Sequence, residues 1–210
     1  REFEGALLRI GDGYGCLHPW PELGDLPLDE QLKVLSEGGT TPLIDGALSC
    51  IQFDETLRRD HRSLPGEWIP ESHWLVRQGD DPDFARSEGF SLAKIKGSDD
   101  LDEVRRTMRE WSRTGLRLRL DFNECLPCGA FLSFWNELSD AEREAIDLVE
   151  DPEEWTARGW EHLREAGVPI AVDRDPQERL GLQDVLVMKP AREDWCLWSD
   201  TRYFLASYMD

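Results

Sequence analysis

The feature that most constrains this chain is a rhythm that sets in at Glu67. Short apolar runs at residues 72–76, 90–96, 116–122, 146–150, 169–173, 185–189 and 203–207 alternate with helical stretches such as 99–112 and 153–166. Gly115 and Gly167 fall just after two of those stretches, where a helix ends most easily in a left-handed residue. Strand-helix alternation implies a parallel sheet with helices packed outside it. Seven strands in series suit a (β/α)7β barrel of TIM-barrel type better than an open sheet. An eighth strand would complete such a barrel. The chain is therefore expected to lack the last strand and the C-terminal segment.

Residues 1–66 read differently, as an α+β unit. A strand is expected at 4–10 and a Gly-rich turn at 11–15, with loop at 18–21. Helices are expected at 28–35 and 43–57, the second presenting Leu43, Ala47 and Ile51 on one face. The predicted organisation is a capping domain over 1–66, incomplete at its N-terminus, and a barrel domain over 67–210.

Charge narrows the function classes. The 210 residues carry 44 acidic against 24 Lys and Arg side chains, a net charge of -20. Such a surface repels phosphates, so neither a nucleic acid nor an anionic membrane is expected as partner. No run approaches the roughly 18 apolar residues of a membrane helix, and no signal segment opens the chain. A cytoplasmic protein is expected. The five cysteines are odd in number and irregular in spacing, which argues against a disulfide framework. Cys125-x-x-Cys128 lacks the second close pair that a structural zinc site needs, and reads as loop.

The chemistry lies at the strand ends. Five of the seven runs end in residues that are costly to bury without a reason. They are Lys94 and Lys96, then Arg119, Asp121 and Asn123, then Glu150, Asp173 and Lys189. In a β/α barrel the carboxyl ends of all strands meet at one mouth, where active sites sit. Residues two apart on a strand share a face, so Lys94 joins Lys96, and Arg119 joins Asp121 and Asn123. Three carboxylates from neighbouring strands suit a hard divalent cation such as Mg2+. Lysines beside such a cation are disfavoured as ammonium ions and so can act as bases. Each piece alone has a plainer reading: Lys-x-Lys as a solvated edge, Asp-x-Asn as a turn, Glu-Asp-Pro as a loop. His18, His73 and the tryptophans read most simply as structural residues. The specificity is in the order and the strand-end placement.

That order resembles the enolase superfamily, and within it the o-succinylbenzoate synthases. The residues that carry the likeness are Ala93-Lys94-Ile95-Lys96-Gly97, Leu118-Arg119-Leu120-Asp121-Phe122-Asn123, Leu148-Val149-Glu150-Asp151-Pro152, Ile170-Ala171-Val172-Asp173 and Val187-Met188-Lys189-Pro190. The block from Gly15 to Asp25 is similar to the cap of the synthases. The resemblance implies an enolase-like fold, in which an α+β cap covers the barrel. It implies Asp121, Glu150 and Asp173 as ligands of Mg2+, with Mn2+ as a substitute. It makes Lys96 the acid/base. Lys94 becomes its partner, which helps to hold the substrate carboxylate and lowers the proton affinity of Lys96. Lys189 becomes the lysine of the opposite face. Arg119, Asn123 and Ser207 are implied near the metal shell and the substrate.

The implied reaction is dehydration of 2-succinyl-6-hydroxy-2,4-cyclohexadiene-1-carboxylate to o-succinylbenzoate in menaquinone synthesis. It proceeds by loss of the proton α to a carboxylate, with a metal-stabilised enediolate. The partner is thus a small-molecule carboxylate. An N-acylamino acid racemase or a cycloisomerase would use the same machinery, and a non-catalytic barrel homologue is the alternative of a different class.

Overall fold

The computed structural model describes residues 4–63, 71–174, 179, 181, 184–188 and 202–205. The chain divides into two compact units, one reaching to Ile69 and the other spanning Pro70–Met188 with the last strand.

The first unit is a hairpin backed by a helix. Strands β1 (Ala6–Ile10) and β2 (Gly13–Leu17) pair antiparallel, with Ala6 opposite Leu17 and Ile10 opposite Gly13. Helices α1 (Leu28–Ser36) and α2 (Pro42–Arg59) follow. Thr41 caps α2 by accepting from the Ile44 N–H at 3.2 Å, and Pro42 opens its first turn, where a missing N–H costs nothing. Ile44 and Ala47 of α2 form a core with Leu17. The expected Gly-rich turn at 11–15 is shorter than predicted: Gly11 and Asp12 make the turn, while Gly13, Tyr14 and Gly15 belong to β2. The glycines serve packing there. A side chain at Gly13 would collide with the Ile51 carbonyl, and one at Gly15 with the Ala47 carbonyl, so α2 can lie directly on the strand.

The second unit is a sheet of seven strands, all parallel and in chain order. They are β3 (His73–Leu75), β4 (Leu92–Lys96), β5 (Arg117–Asp121), β6 (Ile146–Glu150), β7 (Ile170–Val172), β8 (Val185–Met188) and β9 (Arg202–Leu205). Each lies at one of the predicted runs. Helices α3 (Pro82–Ser87), α4 (Leu101–Ser112), α5 (Ala130–Glu137), α6 (Asp140–Glu144) and α7 (Ala157–Glu165) occupy the connections. Gly115 and Gly167 take φ of 80° and 77°, as the helix-end reading requires. The helix predicted at 153–166 begins later, at Ala157. Thr156 caps it, and Glu153 turns inward, where its carboxylate accepts from the N–H groups of Gly129 (2.8 Å) and Phe131 (2.9 Å). Those bonds satisfy donors at the start of α5 that would otherwise be orphaned.

Alternation gives the strands two faces. Leu118, Leu120, Val149, Ile170 and Val172 share a core with Val104, Met108 and Trp111 of α4. Leu148, Ala171, Val185 and Val187 form a separate cluster on the opposite face. The polar strand-end residues lie on that second face.

Candidate active site

The register brings the polar residues together. Lys94 lies opposite Arg119, and Lys96 opposite Asp121, which in turn lies opposite Glu150. The ladder runs on past the strands: Gly97 N–H donates to the Asp121 carbonyl, Phe122 N–H to that of Glu150, and Asp151 N–H to that of Ala171. Lys96, Asp121 and Glu150 therefore stand in one row at the carboxyl ends of β4, β5 and β6. Asp173 comes directly after β7.

Lys94 is the hub of this row. Its ammonium lies 2.9 Å from Asp121 Oδ2 and 3.0 Å from Glu150 Oε2, with all three side chains buried. Lys96 reaches the same Asp121 oxygen at 2.5 Å but keeps 41% of its side chain exposed, against 2% for Lys94. Asn123 donates to the other oxygen, Oδ1, at 2.8 Å. Burial opposes the charge on Lys94, yet Glu150 and Asp121 outweigh it and raise its pKa. Burial likewise works against the Asp121 carboxylate, and Lys94 and Lys96 reverse it and hold its pKa below the ordinary value. Glu150 goes the other way: burial and the charge on Asp121 push it up despite Lys94, and Asp173 adds to the push.

A second layer lies one step down the strands. Arg119 Nε donates to Asp147 Oδ2 at 2.9 Å, and its Nη1 is 3.4 Å from His73 Nδ1. Arg117 reaches the other oxygen of Asp147 at 2.7 Å. The register shifts between Leu118 and Arg119, so that Leu118 pairs with Ile146 but Arg119 with Leu148. Asp147 is the unpaired extra residue of that irregularity, which turns its side chain to the same face as the arginines.

Sequence reasoning did not single out Asp147, Asp151, Glu124 or Arg179. Asp147 carried a signal, a charge in the middle of an otherwise apolar strand. Asp151 is buried at φ 42°, within the Glu-Asp-Pro stretch whose plainer sequence reading is a strand-to-helix loop. Burial, with the charges of Asp173 and Glu150, pushes its carboxyl up to about 7, against the opposing pull of the Asp173 N–H and Arg179. Nothing in the sequence marks Arg179. Lys189 and Ser207 lie outside the described residues.

Whether these groups suit a divalent cation is a question of charge and donor type. Among the described residues, no three His, Cys, Asp or Glu side chains are close enough to hold an ion as they stand. The physical reason is Lys94, whose ammonium lies between the carboxylates of Asp121 and Glu150. The donors nonetheless fit. They are hard carboxylate oxygens, Asp173 Oδ1 is buried beside them, and their mutual repulsion adds to the burial that raises Glu150. A cation among them would relieve that repulsion. No helix among the described residues is long and apolar enough to cross a membrane.

Comparison with known proteins bears on the family and the fold. The family model for the N-terminal domain of o-succinylbenzoate synthase matches residues 1–57. The o-succinylbenzoate synthase of Bdellovibrio bacteriovorus is 33% identical in an alignment covering 99% of this chain and 69% of that protein. Among solved structures, the o-succinylbenzoate synthase from Thermosynechococcus elongatus, complexed with Mg in its active site, matches with a TM-score of 0.64. It is 19% identical, covering 99% of this chain and 78% of its own. A dipeptide epimerase from Enterococcus faecalis gives the same TM-score at 16% identity, covering 91% and 72%. Muconate cycloisomerase from Pseudomonas fluorescens gives 0.60 at 16% identity, covering 89% and 66%. The solved structures establish the enolase-type β/α fold, and the curated relative establishes the lineage: this chain belongs to the o-succinylbenzoate synthase family of the enolase superfamily of enzymes.

Proposed function

We propose that this protein is a cytoplasmic, Mg2+-dependent lyase that dehydrates 2-succinyl-6-hydroxy-2,4-cyclohexadiene-1-carboxylate to o-succinylbenzoate in menaquinone biosynthesis. The observation that carries the reading is the row of Lys96, Asp121 and Glu150 at one register level, bridged by buried Lys94. Family membership supports the choice of substrate.

Asp121, Glu150 and Asp173 would hold the cation. When bound, Mg2+ would supply positive charge against the substrate carboxylate as the α-proton leaves. The remaining work falls to side chains of this chain. Lys96 is the lysine that a substrate can reach, because much of its side chain is exposed while that of Lys94 is covered. Its neutral amine takes the proton α to the carboxylate. The electron pair left behind expels the hydroxyl from the neighbouring carbon, and the same nitrogen returns its proton to that hydroxyl. One C–H and one C–O bond break, water leaves, and the ring becomes aromatic. Lys94 pairs with two buried carboxylates, and Asn123 orients Asp121. Arg119 pairs with Asp147 one step down the strands from the row. By resemblance, Lys189 adds positive charge from the opposite face, and Ser207 meets a second carboxylate of the substrate.

The test is Mg2+-dependent dehydration followed by ultraviolet absorbance, with EDTA as control. Lys96→Ala should lower kcat by about 100-fold to 10,000-fold, the usual reach of a positioned acid/base, while Mg2+ affinity stays nearly intact. Retained turnover would remove Lys96 from the mechanism. A wild-type protein that binds Mg2+ without turnover would sink the synthase reading and make racemisation of N-succinylamino acids the next assay.

A further inference from the structure

We infer that Arg179 is a positioning residue for the carboxylate row, acting through Glu124 and Asp151; the inference rests on the proposal that the row holds a divalent cation. Arg179 is only 4% exposed, and its guanidinium lies 5.1 Å and 5.2 Å from the ring centres of Trp155 and Trp160. Its Nη1 is 2.5 Å from Glu124 Oε1 and 3.6 Å from Asp151 Oδ1. The two indoles fix the plane of the cation, and the cation joins two loops.

Those loops are the ones that follow the metal-binding strands. Glu124 adjoins Asn123, which holds Asp121. Asp151 adjoins Glu150, and its Oδ1 also accepts from the Asp173 N–H at 3.2 Å. The Glu124 N–H donates to the Asp151 carbonyl at 2.9 Å, so the first two loops are tied by backbone as well as by Arg179. Glu150 and Asp173 are thus one step from Asp151, and Asp121 is two steps from Glu124, through Asn123.

The backbone shows that this arrangement is imposed. Asn123, Glu124 and Asp151 take φ of 48°, 58° and 42°. Asn and Asp enter that region more readily than other residues with a Cβ, but Glu rarely does, so Glu124 in particular is held there by its surroundings. A buried ion pair is often no more stabilising than apolar packing. Here its contacts fall on the residues that aim the ligands.

The test is Mn2+ binding by the metal-free protein, read from the electron paramagnetic resonance signal of the free ion, beside the thermal midpoint of each variant. Arg179→Met should weaken Mn2+ binding by 10-fold to 100-fold, the usual range for groups that orient ligands. Arg179→Lys keeps the charge but loses the planar fork, and should recover part of that loss. Glu124→Gln should weaken binding by about threefold or more, in a protein whose midpoint in the absence of metal is close to wild type. Should Arg179→Met fail to fold, the other two variants decide. Folded Arg179→Lys and Glu124→Gln variants that bind Mn2+ as tightly as wild type would overturn the inference. Glu150→Gln is the reference: if it weakens Mn2+ while those variants do not, the clamp alone falls. If Glu150→Gln also binds like wild type, the ligand assignment itself falls, and the clamp with it.

Discussion

The same strands carry two faces built on opposite terms. On the helix side of β5, Leu118 and Leu120 are fully buried against Val104, Met108 and Trp111. On the other side of the same strand, Arg119 and Asp121 meet Asp147, Lys94 and Lys96. The helix side is held by volume and by removal from water, and any well-fitting apolar set would serve. The other side is held by charge compensation, which is incomplete: Lys94 covers two carboxylates, while burial and like charges leave Glu150 and Asp151 disfavoured as anions. The comparison separates residues that make the sheet from residues that use it.

The largest effect that tests this separation is on the helix side. Leu118→Ala removes a side chain with no exposed surface and should cost about 2–5 kcal/mol of stability, measured by chemical denaturation. Mn2+ affinity at a temperature where the variant is folded should stay within about twofold of wild type. A proportional loss of metal affinity would show that the two faces are not independent.

The other side should respond to pH instead. Asp151 and Glu150 both have folded pKa values raised above their ordinary range. Such a group contributes stability fully below its unfolded pKa and loses that contribution as pH rises through the folded value. In EDTA, the protein should therefore lose stability between about pH 4 and the value near 7 reached by Asp151. The loss should be on the order of 3 kcal/mol. Asp151→Asn should flatten the slope, and so should saturating Mg2+. A denaturation midpoint independent of pH across that window would mean that the buried carboxylates are already compensated.

How much of this could be read in advance differs between the two faces. Periodicity alone finds the strands, because alternation and the bounding polar residues are local. It also finds the row, since Lys94, Lys96, Asp121, Glu150 and Asp173 end apolar runs. The register that sets Lys96 beside Asp121, and Asp121 beside Glu150, is not local and came only with the fold. Arg179 is the extreme case. Its importance comes from Trp155, Trp160, Glu124 and Asp151, and no spacing links it to them. Gly13 and Gly15 misled in the opposite direction. Their composition says turn, but their reason is the close approach of α2, which is a tertiary fact.

The smallest effect sharpens the comparison by sign. Glu142 is a carboxylate on the helix side of the molecule. It accepts from Arg105 at both oxygens (3.0 Å each), from Arg109 at 2.8 Å, and from the Ser139 N–H and hydroxyl at 2.8 Å and 2.9 Å. Arg105 above all, with Ser139 and Arg109, holds its pKa far below the usual carboxylate range against a modest cost of burial. A depressed folded pKa contributes stability above the unfolded value and loses it as pH falls, the reverse of Asp151. Arg109 is more than half exposed, so solvent screens the pairs, and Glu142→Gln should cost only about 1 kcal/mol at pH 7. The gap between the urea midpoints of wild type and Glu142→Gln should close progressively below about pH 4. The gap between wild type and Asp151→Asn in EDTA should change in the opposite direction with pH. Slopes of the same sign at Glu142 and Asp151 would break the distinction, because both would then be compensated, or uncompensated, alike.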